Sequence, residues 1–244
     1  MYIFTTTSIS IMKKIVVLTG AGISAESGIK TFRDADGLWE GHDVMEVASP
    51  QGFTNNPELV LDFYNQRRKQ LLQVLPNKAH LALAKLDTYF DTTIITQNVD
   101  DLHERANSKN IMHLHGELLK AKSTKGDIDK SITDCENDIF MGDLCPNGHQ
   151  LRPHIVWFGE EVPMLEKAIE ITEKADILII IGTSMQVYPA ASLVNFVKPN
   201  TPIYFIDPKP SVSKNSFNNL TIISKTAVNG VPGIIDDLIK TYKN

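Results

Sequence analysis

Glycines 20 and 22, the amides and carboxylates at 97–101, and the histidines at 113 and 115 each follow an apolar run, a spacing that suits chemistry on a phosphorylated ligand. The run Ile15-Val-Val-Leu-Thr19 leads into Gly20-Ala-Gly-Ile-Ser-Ala-Glu-Ser-Gly-Ile. A β-branched run of this kind predicts a buried parallel strand. Gly20 and Gly22 permit a tight turn whose N–H groups approach a pyrophosphate, and the start of a following helix favours the same charge. Ala25 takes the place of the third glycine in the G-x-G-x-x-G/A fingerprint. The same turn also suits plain close packing. The acidic residue that in dehydrogenases follows about twenty positions later is not evident, because Glu40 and Asp43 fall in a polar, Gly-punctuated stretch. A dinucleotide here must be gripped in another way. Thr31, Phe32 and Arg33 offer a hydroxyl, a flat apolar face and a cation directly after the turn, suited to covering a cofactor or forming a surface loop.

The run at 92–96 ends in Gln97-Asn-Val-Asp-Asp-Leu-His103. Ligands of open parallel sheets bind beyond the carboxyl ends of the strands, which places these side chains against a ligand. Helix capping by Asn98 or Asp100 is the alternative. The next run ends in His113-Leu-His-Gly-Glu117, where a period of two points both imidazoles to one side. His115, followed by glycine, is the candidate general base, since imidazole titrates near neutrality and accepts a proton from a hydroxyl. The stretch from Arg152 to Glu160 reads as an extended chain, either able to pair with a peptide or an ordinary sheet edge. Gly182-Thr-Ser184 and Asp207-Pro-Lys209 close two further apolar runs, and Asp207 is placed to accept from a ribose hydroxyl.

The elements that must position these residues follow from the pattern. Strand-like runs at 14–19, 92–96, 111–115, 176–181, 202–206 and 220–224, with helix-compatible segments between most of them, predict an α/β fold with a parallel sheet. Residues 13–36, 76–119 and 153–244 belong to that sheet domain, and 37–75 with 120–152 form a smaller second domain from two inserts. Pro57 suits a first helical position, with Leu61, Tyr64, Arg68 and Leu72 on one face. Residues 1–12 read as a disordered extension, and Met12 before Lys13 is an alternative start. The chain has 244 residues, 42% of them hydrophobic, and a net charge of −5, with a dense basic cluster only at Arg67-Arg-Lys69. Nucleic acid is therefore not expected as a partner. No run is long enough to cross a bilayer, and the start lacks the pattern of a signal peptide. With two cysteines, Cys135 and Cys145, a reducing cytoplasm is the expected setting.

Taken together, Gly20-Ala-Gly-Ile-Ser-Ala-Glu-Ser-Gly-Ile, Thr31-Phe-Arg-Asp, Gln97-Asn-Val-Asp, His113-Leu-His-Gly-Glu, Val156-Trp-Phe-Gly-Glu and Gly182-Thr-Ser resemble the sirtuins, the NAD-dependent protein-lysine deacylases, in the family's own order. The resemblance implies a Rossmann-type parallel sheet, a small domain made of a helical module and a degenerate zinc-ribbon-like module, and NAD consumed as a co-substrate. By the same resemblance, the acyl oxygen of an acyl-lysine protein attacks the nicotinamide ribose and nicotinamide leaves. His115 then removes a ribose hydroxyl proton, with Asn98 and Asp100 beside it. Free lysine, nicotinamide and O-acyl-ADP-ribose result. Gly20, Ala21, Gly22, Ser24, Ala25, Glu26, Thr31, Phe32, Arg33 and Trp39 would hold the cofactor, with Gln97, Asn98, Val99 and Asp100 around its nicotinamide end. Gly182, Thr183, Ser184, Asp207, Pro208, Lys209 and Ala227 would hold its adenosine end. Val156, Phe158 and Gly159 would contact the substrate, with the strand at 156–159 pairing with the peptide.

Tyr64-Asn-Gln-Arg67 resembles the Tyr-x-x-Arg pair of class III sirtuins, and Ala25 resembles the small residue that widens their acyl pocket. A succinyl or malonyl carboxylate suits an Arg fork and a Tyr hydroxyl. Sirtuins commonly bind a structural zinc through four cysteines in the second insert. Here Cys135 and Cys145 remain, Ser123 stands near the place of a first cysteine, and His149 is a third candidate ligand, so zinc is not expected. Asp207 also departs from the family's usual Asn. An ADP-ribosyltransferase and a non-catalytic nucleotide or acyl-lysine binding module are the competing readings.

Overall fold

The computed structural model of the protein describes residues 12–30, 38–126 and 128–242. Thr31, Phe32 and Arg33 lie outside the described residues, as do residues 1–11 of the expected extension. In chain order the elements are β1 (Lys14–Thr19), a short pair β2 (Leu38–Trp39) and β3 (His42–Asp43), and helices α1 (Val44–Val47), α2 (Pro50–Asn55), α3 (Pro57–Gln73) and α4 (Lys78–Ala84). Next come β4 (Asp91–Thr96), α5 (Leu102–Arg105), β5 (Ile111–His113), β6 (Gly116–Ser123), β7 (Ile132–Asp134) and β8 (Leu151–Ile155). The chain ends with α6 (Leu165–Thr172), β9 (Ile177–Ile181), β10 (Ile203–Ile206), β11 (Leu220–Ile223) and α7 (Ala227–Tyr242).

Six strands form one parallel sheet in the order β11-β10-β9-β1-β4-β5. β1 lies between β4 and β9, so that Val17 pairs with Ile94 on one side and Ile179 on the other. The chain builds outward from β1 in one direction and then returns to build from it in the other. A crevice therefore opens beyond the carboxyl ends of β1 and β9, the place where such sheets take ligands. One face carries Ile15, Val17, Ile94 and Ile179 against Leu83 of α4 and Val231 and Ile235 of α7. The other carries Val16, Leu18, Ile95 and Ile180 against Ala168 of α6 and Leu193. Burial on both faces explains why these strands read as continuous apolar runs rather than alternating ones.

A second sheet, β7-β6-β8, is antiparallel. It begins at Gly116 and extends to Ile155, past the expected insert boundaries at 120 and 152. Gly116 has φ +84°, and a Cβ there would stand 2.0 Å from the His154 carbonyl oxygen. This close approach accounts for the glycine after His115. Against this sheet packs α3, through Val60, Phe63, Tyr64 and Leu71 facing Leu118, Ile155 and Trp157. Pro57 opens α3 and Asn56 caps it, accepting from the Leu59 N–H at 3.1 Å.

Three expectations are corrected. The buried face of α3 ends on Leu71, and Leu72 is exposed, because the stripe follows Tyr64 by seven residues. Two short 3-10 turns, Ala21–Ile23 and Ala25–Ser27, follow β1 in place of a helix. The segment 156–159 is not a strand. Its N–H groups are drawn elsewhere, Val156 to the His115 carbonyl (2.8 Å), Trp157 to the Glu160 carboxylate (2.8 Å) and Phe158 to the Ala48 carbonyl (2.9 Å), and the chain turns at Gly159 with φ +89°. Among the described residues no helix is long and apolar enough to cross a membrane.

Candidate active site

The carboxyl ends of β1, β4 and β9 gather most of the candidate residues. Gly20 and Gly22 donate their N–H groups to the carbonyls of Ile181 (3.0 Å) and Gly182 (2.8 Å), so these two donors face the neighbouring loop rather than a ligand. Their glycine identity has a steric cause: a Cβ on Gly22 would stand 2.6 Å from the Gly182 Cα. The turn locks the β1 and β9 exits together. A second tie is made by the Gln97 side-chain amide, which donates to Thr183 Oγ1 at 3.2 Å.

Behind the turn, Ser24 Oγ donates to Asp100 Oδ2 at 2.9 Å and accepts from the Asn98 amide at 3.1 Å. All three side chains are buried. Burial pushes the Asp100 carboxyl up to about 6, against the opposing pull of the Ser24 hydroxyl and the Leu102 N–H. The Asp100 carboxylate also accepts from the N–H of Leu102, the first residue of α5, at 3.2 Å, and so serves the start of that helix. Val99 is half-buried between Asn98 and Asp100.

The paired histidines have different fates. His113 Nδ1 lies 3.0 Å from the Asn98 carbonyl and its Nε2 lies 2.8 Å from Glu104. Burial works to lower its pKa, but the Glu104 carboxylate and the Asn98 carbonyl outweigh it, and the net shift is upward. His115 Nδ1 lies 3.0 Å from the Gln97 carbonyl. A carbonyl oxygen accepts only, so Nδ1 carries the hydrogen and Nε2 keeps a lone pair. Burial lowers the His115 pKa, with the Gln97 bond in partial opposition. The two imidazoles are thus shifted in opposite directions, His115 toward its neutral form and His113 toward its protonated form. The two bonds fall on successive carbonyls of the loop after β4.

Other candidates hold structural partners. The Glu26 carboxylate accepts from the Thr226 hydroxyl and the Val228 N–H, both at 3.0 Å, and so caps α7. Ala227, the first residue of α7, is buried. Asp207 is buried and accepts from the Lys209 N–H at 2.8 Å, while Pro208 and Lys209 are exposed. Ser184 is half-buried, its carbonyl accepting from Ser211 at 2.7 Å, and Ala21 is half-buried with Ala25 exposed. Glu40 pairs with Lys30 at 2.9 Å and Asp43 caps α1.

On the α3 side, Tyr64 is fully buried and accepts from the Trp157 indole N–H at 3.0 Å. The Arg67 guanidinium lies 4.9 Å from the Phe63 ring centre, with Trp39 edge-on to the same ring at 4.9 Å. Of the basic cluster, Arg68 is buried on the Leu118 carbonyl (3.2 Å) and Asn65 (2.8 Å), and Lys69 pairs with Asp138 (2.7 Å). This group adjoins the base through the backbone, because Val156, next to Trp157, donates to the His115 carbonyl. Trp157, Arg152 and Glu160 belong to a stretch singled out in the sequence, but the pattern assigns no role to their side chains, whose mutual contacts are set by the fold.

The second insert brings together Asp129, Cys145 and His149, whose ligand atoms lie within 4.8 Å of one another. The Cys145 thiol donates to Asp129 Oδ2 at 2.9 Å, and His149 Nδ1 lies 3.4 Å from the same oxygen. Cys135 is not part of this group; its thiol faces the Asn137 carbonyl at 3.4 Å and packs near Leu61, Ala121 and Ile139. Among the described residues this cluster offers three ligand atoms, with Cys145 and His149 both on the Asp129 carboxylate, one fewer than the four protein ligands of a closed structural zinc site, so these three by themselves do not fit that group.

A Rossmann-type sheet with a partly buried imidazole and a buried Ser–Asn–Asp cluster beyond its strand ends defines the class to which this protein belongs, the nucleotide-site α/β folds. The sequence profile of the Sir2 family matches residues 20–189, and the chain belongs to that family. A protein of Helicobacter pylori named NAD-dependent protein deacylase is 57% identical over 231 residues, 94% of this chain and 99% of its own length. One of the same name from Bacteroides thetaiotaomicron is 53% identical over 224 residues, 90% and 95% of the two chains. A crystallised Sir2 homologue–NAD complex is 39% identical with a TM-score of 0.83, over 95% of this chain and 91% of that one. Sir2 bound to acetylated peptide is 28% identical with a TM-score of 0.74, over 94% and 93%.

Proposed function

We propose that this protein is an NAD-dependent protein-lysine deacylase that removes acetyl groups and, with preference, succinyl and malonyl groups, yielding nicotinamide, O-acyl-ADP-ribose and deacylated protein. The observation that carries the reading is the tautomer of His115, whose bond to Gln97 leaves Nε2 as a base at the ligand end of the sheet. NAD supplies the electrophilic ribose carbon and the leaving nicotinamide. Its fit rests on the crevice beyond β1 and β9, lined by the locked turn at Gly20 and Gly22 and by the Ser24–Asn98–Asp100 cluster.

In this reading His115 takes a proton from a ribose hydroxyl, while Asn98 and Asp100 orient the ribose and nicotinamide beside Gln97 and Val99. Thr31, Phe32, Arg33 and Trp39 cover the cofactor, joined by Ala21, Ser24, Ala25 and Glu26. Gly182, Thr183, Ser184 and the turn at Asp207, Pro208 and Lys209 take the adenosine end near Ala227. Val156, Phe158 and Gly159 contact the acylated protein. Tyr64 and Arg67 hold an acidic acyl carboxylate, for which a forked guanidinium is the matching shape. The inserts 37–75 and 120–152 act as a small domain that holds together without zinc, in a cytoplasmic enzyme. Mass spectrometry of nicotinamide and O-acyl-ADP-ribose, with NAD and acylated or unmodified peptide, tests the reading; NAD cleavage independent of the acyl group would point instead to ADP-ribosyl transfer.

A further inference from the structure

The aromatic group around Tyr64 contains a hydrogen bond with a direction. An indole N–H donates and never accepts. Trp157 Nε1 lies 3.0 Å from the Tyr64 oxygen, so that oxygen is the acceptor and its own proton must turn away from the indole. The phenol ring itself has little room to move, with Phe63 at 5.2 Å, Trp39 at 6.1 Å and Trp157 at 6.4 Å between ring centres. Trp157 is held just as firmly. The Arg152 guanidinium stacks on its ring at 3.2 Å and forks onto Glu160 at 2.7 and 3.1 Å, and the same carboxylate takes the Trp157 backbone N–H at 2.8 Å. One turn along α3 from Tyr64, the Arg67 Nε is buried with no hydrogen-bond partner among the described residues. Burial also raises the Tyr64 pKa well above the usual phenol range, so its proton stays in place.

We propose that Trp157 is a positioning residue for acidic acyl groups: its indole N–H occupies an acceptor position of the Tyr64 hydroxyl and turns that hydroxyl's proton away from the indole, to be presented to an acyl carboxylate. The inference rests on the acidic-acyl reading above. With the Arg67 guanidinium one turn along α3, the oriented Tyr64 proton adds a second donor, which matches a carboxylate, an acceptor-only group. Arg152 and Glu160 act one step further back, by fixing the indole plane.

The test uses the full chain with NAD and matched succinyl- and acetyl-lysine peptides, comparing wild type, Trp157→Phe, Tyr64→Phe and the double variant. Trp157→Phe keeps a ring under Arg152 and removes the N–H. It is expected to lower the succinyl-to-acetyl ratio of kcat/KM about tenfold, the size of one hydrogen bond to a charged group, with the loss in KM. In the Tyr64→Phe background the same change is expected to move that ratio less than about twofold. Benzothienylalanine at position 157, which keeps the bicyclic shape and replaces N–H by sulfur, serves if the phenylalanine variant does not fold. An unchanged ratio on removing the N–H, or an equal drop without the Tyr64 hydroxyl, overturns the proposal. A wild-type enzyme with no preference for succinyl overturns the acidic-acyl reading itself, and the two failures are told apart by that control.

Discussion

The imidazole of His115 is tied through Nδ1 to the carbonyl oxygen of Gln97 at 3.0 Å, and this bond decides which nitrogen keeps its lone pair. His113 makes the same kind of bond to the next carbonyl, that of Asn98, but its other nitrogen meets Glu104. One sequence motif thus yields two imidazoles, two residues apart, with opposite pKa shifts, His113 beside a carboxylate and His115 on a backbone carbonyl.

Replacing His115 by Ala is expected to lower kcat by about a thousandfold, within the usual range for a lost general base. Because burial lowers the His115 pKa, kcat/KM should be flat at neutral pH and fall on acidification with an inflection below the ordinary histidine value of about 6.5. A pH–rate profile on acetyl-lysine peptide measures this. An inflection above neutrality would remove His115 from the role.

Arg67→Met should reduce kcat/KM for succinyl peptide about a hundredfold more than for acetyl peptide, the loss of a charge-assisted fork. Steady-state kinetics with matched peptides reads the ratio. An equal loss on both peptides would make Arg67 a structural residue.

Acid stability offers a separate check. Burial lowers the His80 pKa to about 4 and that of His103 well below its usual value, and their rings meet at 5.0 Å. Below pH ~6.5 the unfolded histidines bind protons that the folded ones refuse, so stability falls as pH drops toward 4. Asp100, with its pKa raised to about 6, works in the opposite direction by taking up a proton in the folded state below that pH. The two histidines outweigh the one carboxyl, so urea unfolding should show a net loss of stability between pH 7 and pH 5. Constant or rising stability over that window would contradict this balance.

The sheet was legible in the sequence because its strands are local signals. All six apolar runs became neighbouring parallel strands, since burial on both faces leaves continuous apolar residues that no turn interrupts. What escaped reading depends on segments far apart in the chain. Gly20 and Gly22 looked like phosphate-approach glycines, but their fit against Gly182 is a contact across 160 residues that no local pattern encodes. The 156–159 segment had strand composition, yet the loops at His115 and Ala48 took its N–H groups. Helical periodicity put Arg68 on the face of Tyr64, but its partners, the Leu118 carbonyl and Asn65, could not be read from that pattern. Asp129 gave no sign, because its link to Cys145 spans the second insert.

That link gives a further prediction. Dialysis against a chelator should leave the melting temperature unchanged, whereas Asp129→Ala should lower stability by about 1–3 kcal/mol through the unpaired thiol and the lost Ser131 bonds. Calorimetry of both samples, with elemental analysis for zinc, provides the comparison. One tightly held zinc per chain, with a fall in melting temperature on chelation, would contradict a zinc-free insert.

The most direct test of the account is a single incubation of the purified protein with NAD and acetyl-, succinyl- or malonyl-lysine peptide, following nicotinamide and O-acyl-ADP-ribose by mass spectrometry. The account predicts that both products form only with acylated peptide and form faster with the acidic acyl groups. Nicotinamide release that ignores the acyl group, or no cleavage of NAD at all, would contradict it.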